Sequence, residues 1–149
     1  MSSLWRNIGA YLSAAFAALM QVTAGGSGDA VEVSGPWIDR DGFESCSVVV
    51  SGQATLADAD TLSLGMNLQD ATDSAGAGVA DLAGTTIASA VIATGGTGGS
   101  TEDVAWKNDF ILAGANQFVR AQITPDLSAG ATDVATLVAV MILGRPQTI

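Results

Sequence analysis

A chain of 149 residues has room for one ordinary domain, or one domain with an arm, and can bury a core without a disulfide or a metal. It is 48% apolar yet dominated by small residues, 18 of them Gly, and its 15 acids against 5 bases give a net charge of −10. Because Arg6, Arg40, Lys107, Arg120 and Arg145 are scattered, no basic patch can displace the counterions of a phosphate backbone, and nucleic-acid binding is excluded.

Further classes fall with the residue types that are missing. There is no His, which removes the Ser-His-Asp triad, the Cys-His pair and every imidazole metal ligand. Cys46 is the only cysteine, so it has no intrachain disulfide partner and reads as a small buried hydrophobe in a strand. Lys107 is the only lysine. The glycines Gly95–Gly99 run into Ser100-Thr-Glu-Asp rather than the Gly-Lys-Ser/Thr of a phosphate loop, so they read as a plain connection. Carboxylate pairs at Asp39/Asp41, Asp58/Asp60, Asp70/Asp73 and Glu102/Asp103 lack the spacing of a calcium loop and suit solvated turns. Neither a catalytic residue, nor a metal ligand, nor a cofactor is expected.

The first 22 residues carry one early base, Arg6, and then the apolar run Ile8–Met20. This resembles a signal peptide, but about thirteen residues are too few to span a bilayer of roughly 30 Å, so a retained, non-membrane segment is expected. Trp5, Ile8, Leu12, Phe16 and Leu19 recur at helical spacing, which predicts an amphipathic helical or extended arm that docks on a partner, or packs on its own domain. Thr23–Asp29 is the hinge. Residues 1–28 are therefore expected to be arm and hinge, and residues 29–149 a body.

Within the body, wet faces made of Ser, Thr and Asp suit strands and turns. Strands are predicted at Val31–Ser34, Glu44–Ser51, Thr61–Gln69, Thr86–Thr94, Val104–Leu112, Gln117–Thr124 and Asp133–Leu143. The clearest alternation sets Leu62, Leu64, Met66 and Leu68 on one face; Val119, Ala121 and Ile123 repeat the pattern. Pro125–Gly130 is predicted to join the last two strands as a hairpin, and the apolar Asp133–Leu143 to be buried on both faces. The fold class is mainly β, an antiparallel β-sandwich or jelly roll with an N-terminal helical or extended arm.

Ile38-Asp-Arg-Asp-Gly-Phe-Glu-Ser45, Leu68-Gln-Asp-Ala-Thr-Asp73, Gly114-Ala-Asn-Gln-Phe-Val-Arg120 and Leu143-Gly-Arg-Pro146 together resemble motifs of small structural proteins encoded beside tailed-phage head genes. The resemblance spans Val31 to Pro146; the Gly95–Gly99 loop and Thr101-Glu-Asp103 depart from it. It implies a non-enzymatic virion protein on the outer surface of the capsid, a decoration or cement protein bound to the major capsid protein, with a homotrimer as the first expectation. The arm residues Trp5, Ile8, Leu12, Phe16 and Leu19 are the candidate partner-binding set. A tail, connector or head-fibre component is the nearest rival, and a secreted carbohydrate- or calcium-binding β module is the rival of another class.

Overall fold

The computed structural model describes residues 11–128 and 132–145, all of them strand, turn or loop. Ten strands form two antiparallel sheets. They are β1 (Leu12–Thr23), β2 (Val33–Ser34), β3 (Ile38–Asp39), β4 (Ser45–Leu56), β5 (Thr61–Ala71), β6 (Ala80–Asp81), β7 (Ile87–Thr94), β8 (Ser100–Ile111), β9 (Phe118–Leu127) and β10 (Val134–Gly144). The first sheet runs β1-β10-β4-β8. The second is built on β9 and β5, with β2 and β3 along the outside of β9, and β6 and β7 along the outside of β5.

Counting β2 with β3 and β6 with β7 as single broken strands leaves eight positions in chain order. The first pairs with the last, the second with the seventh, the third with the sixth and the fourth with the fifth. That is one long antiparallel hairpin wrapped over a core, the topology of a jelly roll. The expected sandwich is present, and Leu62, Leu64, Met66 and Leu68 are buried on its inner face, as are Val119, Ala121 and Ile123.

Three expectations are corrected. First, Leu12–Val22 is neither a helix nor a tethered arm: it is β1, paired along β10, with Ala17, Ala18, Met20 and Val22 in the core. Removing residues 1–22 would strip a strand from the first sheet, so the body is not independent of them. Residues 1–10, with Trp5 and Ile8, lie outside the described residues, as does Pro146. Second, β9 and β10 do not pair as a hairpin. They lie in different sheets, β9 beside β5 and β10 between β1 and β4, and β9 continues through Pro125 to Leu127. Third, β10 is buried on one face: Leu137, Ala139, Met141 and Leu143 point inward, while Val138, Val140 and Ile142 are only half-buried on the outer face.

A β-bulge in β1 explains the misleading helical spacing. The register shifts between Phe16 and Ala18, so Ala17 is an extra residue and both alanines turn inward. One added residue lets positions three apart share a face of a strand, which Phe16 and Leu19 do. Gly35 makes room for the bulge, since a Cβ there would lie 2.0 Å from the Ala17 carbonyl oxygen.

The far end of the sandwich is closed by Arg40. Its Nε donates to the Asn116 carbonyl at 2.8 Å and its Nη1 to the Phe43 carbonyl at 3.0 Å, while Nη2 reaches the Ala115 carbonyl. Gln117 Nε2 donates to Asp39, Asp70 accepts from the Asn116 N–H at 2.7 Å, and the Arg145 guanidinium sits over the Phe43 ring at 5.1 Å. The turn after β3, the end of β5, the loop before β9 and the end of β10 are thereby joined.

The inner-face assignment is tested by unfolding. Leu64→Ala should cost roughly 2–5 kcal/mol in urea, as a large deletion in a packed core does, whereas Val138→Thr on the outer face should cost less than about 1 kcal/mol. Comparable losses from the two would show that β10 is covered on both sides.

Candidate interaction surface

Alternation forces every strand of the first sheet to offer its second set of side chains to the outside. On β10 that set is Val138, Val140 and Ile142, and the register lays Leu19 beside Val138, Phe16 beside Val140 and Val49 of β4 on the other side of Val140. The result is a continuous apolar band across three strands, with Phe16 55% and Leu19 57% exposed at its β1 margin. Gln21, Thr136 and Gln53 border it towards one end. On the far strand Lys107 and Asp109 form an exposed ion pair at 2.7 Å.

At the end of this face where the first and last strands meet, Leu12, Ile111 and Ile142 line an open groove of about 320 Å³ with Ser45, Ser47 and Asp109. Ile111 is 76% exposed. Asp109 is held below the usual carboxylate range, first by the hydrogen bond from Lys107 and then by that from Ser47. The backbone N–H of Arg145 donates to the Tyr11 carbonyl at 2.9 Å, which holds the start of β1 beside the end of β10.

Apart from β7, where Val91 is 59% exposed, the second sheet is built in the opposite way. On its outer face Asn67 donates to Gln122, Gln122 to Glu32 and Ser34, and Gln69 to Asp81. Arg120 donates to Gln69 while its guanidinium lies 4.4 Å over the Trp37 ring. A sheet face laced with such bonds is satisfied in water; an apolar band is not. β1 is also an edge strand, with one side unpaired within its sheet.

Of the candidate set, Leu12, Phe16 and Leu19 are brought together on this outer face, and Trp5 and Ile8 lie outside the described residues. The sequence reading missed Val49, Val138, Val140 and Ile142. The signal was available, because a strand apolar in both phases has two faces to cover, and among the described residues no helix covers the second.

Most of the described polar residues weighed for chemistry are engaged in the fold. Arg40, Lys107, Arg120 and Arg145 each serve a contact of the chain itself. Asp73 is lowered by the N–H of Ala77, with Ala75 and Gly76 adding to it, in a closed turn. Asp39 accepts from the Asp41 N–H at 2.9 Å, and Asp103 accepts from Gln53 at 3.0 Å. Among the described residues no three His, Cys, Asp or Glu side chains group to hold a metal ion. Cys46 is buried, as expected, and its thiol is pushed up to about 12, chiefly by desolvation and secondly by the charge of Asp109.

No family model and no curated protein sequence matches the chain. Among solved structures it is similar to the Gx strain of infectious bursal disease virus, at 14% identity and TM-score 0.42 over 93% of this chain and 34% of that one. The VP2 subviral particle of the same virus gives 13% identity and TM-score 0.43 over 90% and 33%. Its derived T=1 particles give 17% and 0.40 over 90% and 31%. The chain spans about a third of the length of these structures. The jelly-roll assignment rests on the strand pairing described above.

A thiol this far from ionising is a poor nucleophile. Native protein at about pH 8 should resist alkylation by iodoacetamide, and the same reagent should label Cys46 fully in denaturant. Rapid labelling of the folded protein would show that the groove reaches the sulfur.

Proposed function

We propose that the chain is a non-enzymatic structural protein of a virus particle, a decoration or cement protein of a tailed-phage head that binds the outer surface of the major capsid protein. The observation that carries this reading is a difference between the two outer faces. The second sheet is bonded by polar side chains across β2, β9, β5 and β6, with Val91 of β7 its one large exposed apolar strand residue, and the first offers an apolar band across three strands that ends in an edge strand. The motif resemblance supplies the viral context. A cementing protein acts by covering surface across a boundary between subunits, and a stable specific interface buries about 1,200–2,000 Å² in total. The band and the Leu12–Ile111–Ile142 groove form the centre of that contact, and Trp5 and Ile8 extend it from the segment before Tyr11. Copies arranged around a local symmetry axis suit such a shell, with a trimer as the first choice.

Phe16 and Leu19 point away from the core, so replacing both with Asp should leave the fold intact and remove the contact. Burial of each is worth roughly 1.5–3 kcal/mol at most, so the double variant should weaken binding to undecorated heads by about two orders of magnitude. Co-sedimentation with the heads measures this, with circular dichroism as the check on folding. Removal of residues 1–10, which leaves β1 in place, should weaken attachment further. A folded double variant that sediments with heads like the parent would sink the reading. If the parent ignores heads and binds isolated tails, the tail or connector reading takes its place.

A further inference from the structure

At the opposite end of β10 from Arg40, Asp133 is 1% exposed. Its Oδ1 accepts the Ala57 N–H at 2.8 Å, and its backbone carbonyl accepts the Ala24 N–H at 3.0 Å. One residue thereby ties the turn between β4 and β5 and the loop after β1 to the head of β10. Its Oδ2 is buried and finds no hydrogen-bond donor among the described residues, an arrangement that costs free energy unless something supplies one. The side chain in reach is another acid. The turn Ala57–Asp60, closed by the Asp60 N–H on the Ala57 carbonyl and holding Ala59 at φ +63°, brings the Asp60 carboxyl against that of Asp133.

We propose that Asp60 and Asp133 are joined by a single proton, a carboxyl latch that fastens the β4–β5 turn to the head of β10 in acid and loosens as that proton leaves. Protonated Asp60 donates its O–H to Oδ2 of Asp133, which gives the buried oxygen its missing partner; with the proton gone, two negative groups face each other. No metal enters the step: the proton comes from water and returns to it.

Besides Asp133, the charge that favours keeping the proton on Asp60 is that of Asp58. Asp58 lies on the same turn, and the Gly95–Gly99 loop, whose Gly95 N–H donates to the Asp60 carbonyl at 2.8 Å, carries no charge. From the loop after β1, Asp29 accepts from Gly25 and Leu127; on β8, Glu102 accepts from Ser100. The only ion pair among the described residues is Lys107–Asp109, so neither member of the latch is paired with a base. Asp60 is accordingly raised above the usual carboxylate range, first by desolvation, then by its hydrogen bond with Asp133, the charge of Asp133 and the charge of Asp58. A group raised in the folded state stabilises fully below its ordinary pKa, and that contribution disappears as pH rises through the raised value. The latch is therefore closed in acid and open in alkali.

The experiment is a series of melting curves from about pH 4 to about pH 8 on the parent, Asp60→Asn and Asp58→Asn. An amide donates to Asp133 without titrating, so Asp60→Asn should match the parent in acid, melt higher at the alkaline end and show a flatter profile. Asp58→Asn removes the smallest of the causes that raise Asp60 but no donor, and should flatten the profile much less than Asp60→Asn. A profile for Asp60→Asn parallel to the parent's overturns the latch, and so does equal flattening by Asp58→Asn, which would mean general charge repulsion. A rise in the parent's melting temperature with millimolar Ca²⁺ at the alkaline end, absent in Asp60→Asn, would replace the proton with a cation. Should Asp60→Asn fail to fold, a carboxyl titration of the parent by NMR decides, and an ordinary value for Asp60 overturns the proposal.

Discussion

A strand in a two-layer sandwich can give only one of its faces to the core, and the rest of this molecule follows from how that constraint is met. The inner faces are filled by Leu62, Leu64, Leu68, Ile123, Leu137 and Met141, with alanines such as Ala18, Ala121 and Ala139 between them. Large and small residues alternate, so the sheets interdigitate without a helix to fill gaps. What remains is the outer set. The second sheet resolves it with amide, hydroxyl and carboxylate side chains bonded across strands, and the first sheet leaves Phe16, Leu19, Val138, Val140 and Ile142 unpaired. The core therefore fixes where the exposed apolar band must be.

The four segments that carry the phage-protein resemblance are far apart in sequence and meet at one end of the sandwich. Arg40 bonds to carbonyls of Phe43, Ala115 and Asn116, and a guanidinium suits this because its donors form a rigid, permanently charged fork. Asp70 takes the Asn116 N–H, Gln117 reaches Asp39, and Arg145 covers Phe43. These residues close one end of the sandwich, where the chain passes between sheets and backbone carbonyls would otherwise lie open. The motifs mark a device for holding the wrapped hairpin shut, which explains why they contain Arg, Asp and Gln without forming a chemical site.

The β class was legible because composition and period agreed: Leu62 to Leu68 and Val119 to Ile123 alternate with polar or small neighbours, and a strand is the only element that sorts them. Two features hid other parts. In β1 an inserted alanine shifted the phase, so Phe16 and Leu19 fell at a helical interval although both stand on a strand; a bulge leaves no mark in the sequence when the extra residue is as small as Ala17. In β10 both phases are apolar, and hydrophobicity alone does not separate a doubly buried strand from one whose outer face is left half-exposed. The pairing of β9 with β10 failed for a third reason: proximity in sequence favours a hairpin, whereas the wrapped topology sends these two strands to opposite sheets. Leu12, Phe16 and Leu19 were found through a mistaken element because exposure of large apolar side chains was the real signal.

Charge then decides how such a surface works. With a net charge of −10 and its described bases occupied by Phe43, Gln69, Asp109 and backbone carbonyls, the molecule has little positive potential to steer it towards an acidic partner. Two copies meeting face to face would bring like charge together as the apolar bands closed, so self-association through this face gains from burial and loses to repulsion. A partner of neutral or basic surface gains from both. Most of the acids sit in turns away from the band; Asp109 of β8, which lines the groove, is paired with Lys107, so desolvating this face leaves few carboxylates stranded. In the proposed role, an apolar centre with a charged perimeter reserves the energy of burial for a surface that matches the perimeter as well as the band.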